Sequence, residues 1–189
     1  MIGVTVFAAM AVLLIAYALT LYRGLNRARR ALARAWSNLE FSWARRDGDI
    51  SRLLELCEHG APAEPDTLER LVAARAALQT ARNARDVAAV NSAESALRSA
   101  LNPVYAIAAR TPQSHAEPLL RALRFRIRAH ERAIGAYGER YNQAADALNA
   151  RIDLLPDALI AGLCHCTPAA TLELSAPGAN IELHLAFSK

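Results

Sequence analysis

The sequence predicts an all-α protein. An N-terminal transmembrane helix continues into an antiparallel four-helix bundle, and a short C-terminal tail has β character. Three observations predict this. The 189 residues are rich in Ala, Leu and Arg and include only 8 Gly and 8 Pro, and those three types are the least costly to place in a helix. Residues 2–22, IGVTVFAAMAVLLIAYALTLY, carry no charge, and about 20 apolar helical residues cross a bilayer core. Apolar residues then recur every seven along two long segments, which indicates helices packed along a shared seam.

The apolar run (domain 1–22) is read as a retained membrane helix. A cleaved signal peptide has a basic leader and an apolar core of about 7–15 residues, and this run is longer and has no basic residue before it. Arg23, Arg27, Arg29, Arg30 and Arg34 follow at once. Basic flanks stay on the cytoplasmic side, so the N-terminus is expected outside, with the rest cytoplasmic. The same arginines suit anionic headgroups. The net charge of +4 is small and no nucleic-acid partner is expected. Three cysteines, two of them in Cys164-His165-Cys166, do not read as a disulfide framework.

Breakers divide residues 23–155, the predicted bundle, into four helices. The first runs from Arg23 to about Glu58, and HGAPAEPD (59–66) forms a turn. Asp66 with Glu69 reads as a capping box for a second helix over 67–83. Asp86 can cap a third to about Arg110, with Pro103 inside it as a kink or register shift. After TPQSH (111–115), a fourth runs from about Ala116 to Leu155, ended by Pro156. In the first helix Leu25, Leu32, Leu39, Arg46 and Leu53 share one track, and Arg29, Trp36, Trp43, Ile50 and Cys57 the next. In the fourth, Leu120, Ile127, Ile134, Tyr141, Leu148 and Leu155 recur. The lengths suggest that helices 2 and 3 form a short hairpin on helix 1 and that helix 4 returns toward the membrane.

Residues 156–166 begin with PDALIAGL, an apolar stretch read as an interfacial segment in which Leu159, Ile160 and Leu163 meet lipid. The other reading folds it back onto the bundle end. Residues 167–189 form the tail. Its alternation of Leu172, Leu174, Ile181, Leu183, Leu185 and Phe187 with polar residues reads as a hairpin or two short strands. An ordered hairpin would pair with a second chain or a partner; the competing reading is a disordered tail.

These residues resemble the LemA family. The run 22–46 matches at Tyr22, Leu25, Arg29, Ala35, Trp36, Ser37, Leu39, Glu40, Arg45 and Arg46. Further along, Glu94 with Ala96-Leu97, Glu131, Ile134, Tyr141-Asn142, Asn149, Ile152, Pro156 and Leu159-Ile160-Ala161 also fit. The resemblance covers about residues 1–163. It implies a single-pass protein of the bacterial inner membrane with a helical bundle, and some relatives belong to magnetosome membranes and take part in their formation. Where the family has Asp-Leu-Ile-Pro-Asn-Leu after its Arg-Arg pair, this chain has Gly48-Asp49-Ile50-Ser51-Arg52-Leu53.

The candidate structural and interaction residues are Trp36, Trp43, Arg46, Glu94, Glu131, Tyr141 and Asn142. Arg46 falls on the leucine track, and a buried guanidinium needs a partner. In an antiparallel pair of helices 1 and 4, opposed positions sum to about 177. That puts Arg46 beside Glu131, with Glu94 the second candidate; an anion or headgroup site at Arg46 is the functional alternative. Cys164, His165 and Cys166 are the sole metal-like cluster, but tetrahedral zinc takes four ligands, so no metal and no cofactor are expected. No phosphate loop, nucleophile elbow or zinc-protease His pair is present. The reading is a non-enzymatic membrane scaffold that self-associates, in part through its tail. The alternative is a monomeric adaptor for an unidentified protein partner, and a remote third is a metal or redox activity at the Cys-His-Cys cluster.

Overall fold

The structure, a computed structural model, describes residues 2–60, 64–110, 117–154, 156–164 and 166–174. The protein is all-helical over them, with α1 (Ile2–Gly60), α2 (Pro65–Ala84), α3 (Val87–Arg110), α4 (Glu117–Asp153) and α5 (Asp157–Leu163).

The apolar run and the first predicted helix are one uninterrupted helix, because no proline intervenes before Pro62. An 18-residue window of α1 near its N-terminus has mean hydropathy 2.1 and none of it is buried. Phe7 and Leu13 are 71% and 70% exposed. In water such a surface aggregates, whereas lipid solvates it.

The start of α2 differs from the expected capping box. Glu64 is the N-cap, without a side-chain cap bond, and Pro65 takes the first turn. Proline's fixed φ suits that position and its missing N–H costs nothing there, so Asp66 moves inside the first turn. The helix ends on Arg85, in the left-handed conformation at φ 53°. The Arg85 and Asp86 N–H groups bond back to the Arg82 and Ala81 carbonyls at 3.0 and 3.1 Å. Asp86 then caps α3 as expected, its Oδ1 accepting the Ala89 N–H at 3.1 Å. The helix continues through Pro103.

The chain divides into two compact units, Met1–Trp36 with Arg140–Thr171, and Ser37–Glu139 with Leu172–Lys189. In the first, Leu25, Leu148 and Ala161 form a core against which Leu32, Ile152 and Ile160 pack. Trp36 meets Tyr141 edge to face, with centroids 5.7 Å apart. The predicted interfacial segment is the short α5. Ala161 is 2% exposed and Ile160 is half-buried against the core, whereas Leu163 is 78% exposed. The Leu159 side chain lies outside the described residues. Arg151 bonds Asp157 at 3.2 Å and crosses Gly24 so closely that a Cβ there would strike the guanidinium.

The tail departs from the strand expectation. Residues 166–174 are irregular, and the second alternating run, 181–187, lies outside the described residues. In the first unit Asn149 holds this segment in a two-way pair. Its Oδ1 accepts the Ala169 N–H at 2.8 Å, and its Nδ2 donates to the Ala169 carbonyl at 2.9 Å. In the second unit Asn91 accepts the Glu173 N–H at 2.9 Å, and Leu172 and Leu174 are buried. Leu174 lies over Gly138, where an added Cβ would come within 2.9 Å of it. The alternation at 171–174 therefore marks a half-buried extended segment docked on its own chain. Asn149→Ala should cost about 1–3 kcal/mol, the two bonds at about 1 kcal/mol each plus a desolvated backbone group. Limited proteolysis should then cut sooner between residues 164 and 174; an unchanged cleavage rate would show that Asn149 does not hold the tail.

In the second unit α2 packs on α3. Leu39, Trp43, Ile50, Leu53 and Cys57 of α1 are buried, as are Leu71 and Leu78 of α2, Val90, Leu97, Leu101 and Val104 of α3, and Leu120, Leu123, Ile127 and Ile134 of α4. The heptad tracks thus mark the buried face. His130 and Tyr137 of α4 are only half-buried.

Candidate functional site

The polar interior of the second unit is the candidate site. The leucine track of α1 brings Arg46 inward until it is 1% exposed. Its Nη1 donates to Glu94 Oε2 at 2.8 Å and its Nη2 to Oε1 at 2.6 Å. Glu94, on α3, is 2% exposed. This forked pair matches the planar guanidinium to both carboxylate oxygens, the strongest geometry open to two such groups. The second-ranked sequence candidate is therefore the direct partner. It also commits the guanidinium to a carboxylate, so an anion or headgroup site at Arg46 itself is not what the geometry offers.

Glu131 of α4 is 8% exposed and lies within the same field. Burial pushes its carboxyl pKa up, and the positive charge of Arg46 pulls it only partly back. The Tyr105 hydroxyl is also raised by burial, and by the nearby Glu131 charge. Because folded Glu131 holds its proton more tightly than the ordinary carboxyl near 4.5, the native state gains stability as pH falls through the raised value. That contribution is lost as pH rises again. Glu131→Gln should therefore raise the urea midpoint at about pH 7 and leave it nearly unchanged at about pH 4. A midpoint lowered at pH 7 would show that ionised Glu131 helps to hold Arg46.

Trp43 is 1% exposed, and the Arg82 guanidinium lies 5.1 Å from its ring centroid. Desolvation lowers the pKa of Arg82. Asp47 pairs with Arg75, whose Nη2 also donates to Ser51 at 2.6 Å, tying α2 to α1. Trp36 and Tyr141 pack within the first unit, where Asn142 is half-buried. Arg23, Arg27, Arg29, Arg30 and Arg34 are all exposed.

A second cluster was not anticipated. Asp49 of α1 is 2% exposed. Its Oδ1 meets Arg126 Nη2 at 2.7 Å and its Oδ2 meets His130 Nε2 at 3.2 Å. Arg52 stands 3.9 Å away. These groups border a cavity of about 440 Å³ that Arg45 and Phe125 also line. The sequence did carry a signal: the opposed-position sum of about 177 places Asp49 between Arg126 and His130.

Cys164 and Cys166 are half-buried free thiols, and His165 lies outside the described residues. Among the described residues, no three His, Cys, Asp or Glu side chains gather in a way that could hold a metal ion.

No curated protein matches the chain. The model of the LemA family matches residues 35–185. The match begins at the Ala35-Trp36 motif, after the apolar run, and extends past residue 163, so the resemblance covers most of the tail as well as the helices. With that match across most of its length, the chain belongs to the LemA family.

Proposed function

We propose that this protein is a non-enzymatic, single-pass scaffold of the bacterial inner membrane. Its N-terminus faces out, and its helices form an antiparallel four-helix bundle in the cytoplasm. It acts by self-association, organising assemblies at the membrane and shaping it. The observation that carries this reading is α1, a single helix whose first part is apolar with none of an 18-residue window buried and is followed by five exposed arginines. Exposed apolar surface calls for lipid and the arginines for its cytoplasmic headgroups. Removing residues 2–22 should transfer the protein from the membrane pellet to the soluble fraction. Protease added to sealed spheroplasts should spare the bundle. Degradation of the bundle in intact spheroplasts would reverse the orientation.

The monomeric adaptor is the second reading, and one observation favours it: Leu172 and Leu174 are buried on their own chain, which removes them from pairing between chains. Mass measurement of detergent-extracted protein, with and without residues 168–189, separates the two. A larger-than-monomer mass that collapses on truncation supports self-association through the tail, and a monomer in both forms supports the adaptor.

A further inference from the structure

The cavity beside Asp49 has an electrostatic character that the scaffold reading does not use. Three guanidinium groups, Arg45, Arg52 and Arg126, line it with a single carboxylate, Asp49. The Asp49 side chain is 3% exposed, whereas those of Arg52 and Arg126 are 63% and 52% exposed. The carboxylate thus sits at the base and the guanidinium groups at the rim. A guanidinium carries five N–H donors, and the Arg126–Asp49 pair uses the Nη2 end. Arg45 is held over the Phe41 ring, 4.3 Å from its centroid, which limits the freedom of one rim cation. At Gly48 the α1 wall borders open space, since a Cβ there would meet nothing within 4 Å.

We propose that this cavity binds a phosphate-class oxyanion. Asp49 and His130 anchor it, and Arg45, Arg52 and Arg126 bind the anion. Guanidinium forks match tetrahedral oxyanions in charge and donor geometry, and a concave site with excess positive charge concentrates anions. A metal cation fits poorly, because the same arginines repel it and Asp49 with His130 supplies only two ligands, short of the usual three or four. Phe125, 69% exposed at the cavity wall, offers an apolar surface to whatever organic group the phosphate carries.

The test uses the full chain in zwitterionic detergent at about pH 7, with histidine ring nitrogens labelled for NMR. The His130 signal is identified by its loss in His130→Gln. Inorganic phosphate is titrated against chloride at equal ionic strength. The expected result is a saturable shift of the His130 ring that chloride does not give. Arg52→Gln and Arg45→Gln, which leave the Arg126–Asp49 pair intact, should each weaken it by about threefold to tenfold. A shift that never saturates, or an affinity unchanged from the parent in both variants, overturns the proposal. Nanodiscs identify the source of the phosphate. If phosphatidylglycerol discs move the His130 signal without added phosphate, where phosphatidylcholine discs do not, and Arg52→Gln abolishes this, the ligand is a lipid headgroup. If only dissolved phosphate moves it, the ligand is a soluble phosphate compound. If neither moves it, there is no anion site.

Discussion

Replacing Glu94 with glutamine is expected to destabilise the protein by about 3–5 kcal/mol, because it strands a buried guanidinium. The amide keeps the shape of the carboxylate, so the loss reports charge and not packing. Arg46 is 1% exposed and cannot turn to water for compensation. Glu131 is another carboxylate in its field, and burial already opposes ionisation there. Loss of Glu94 should draw Glu131 into ionising. The double variant Glu94→Gln/Glu131→Gln should then lose more at neutral pH than the two single effects sum to. Removing both members of the pair has the opposite sense. Arg46→Met with Glu94→Leu should be neutral or more stable by about 1–4 kcal/mol, since neither charge then has to be desolvated. Urea midpoints followed by circular dichroism on the detergent-solubilised full chain measure all of these. A Glu94→Gln variant within about 1 kcal/mol of the parent would show that water reaches the pair.

Trp43→Ala should cost a similar amount, about 3–5 kcal/mol, for a different reason. The indole is 1% exposed, so its removal costs transfer energy and leaves a cavity. It also leaves Arg82 without the ring that its guanidinium overlies, a further loss of about 0.5–1 kcal/mol. Trp43→Phe restores most of the volume and a ring face and should recover more than half of the loss. Circular dichroism is the suitable readout, because the substitution removes one of the two tryptophans. Equal losses for Phe and Ala would mean that the indole N–H, and not the ring volume, is what the site requires.

Much of the fold was legible because its signals are local. Gly60 ends one helix and Pro65 starts the next, and Asp86 caps α3 through its own side chain. The seven-residue tracks of α1 and α4 mark the buried face because one side of each helix must leave water. What was illegible depends on contacts distant in sequence. Pairing positions by a constant sum treats only the two long helices, so it ranked Glu131 above Glu94, which arrives from α3. The alternation at 171–174 was read as strand pairing because a half-buried extended segment has the same two-residue period whether its cover is another strand or a helix. The asparagines that hold it, Asn91 and Asn149, carry no periodic signature. Asp49 lies off both apolar tracks of α1, so its burial leaves no mark in the seven-residue pattern.

Docking of residues 166–174 has a consequence for the timing of folding. This segment is the last of the described chain to leave the ribosome, while its seats at Asn91, Gly138 and Asn149 are made much earlier. Closing such long loops is slow relative to forming helices. A nascent chain therefore presents an open apolar seat at Gly138 until residues 166–174 have emerged and docked. Where two nascent chains lie close together, the tail of one copy can fill the seat of the other during that interval, an exchange that converts a monomer fold into a dimer without any new contact. The spacing of nascent chains, and not the affinity of any surface, would then set how much of the protein is exchanged.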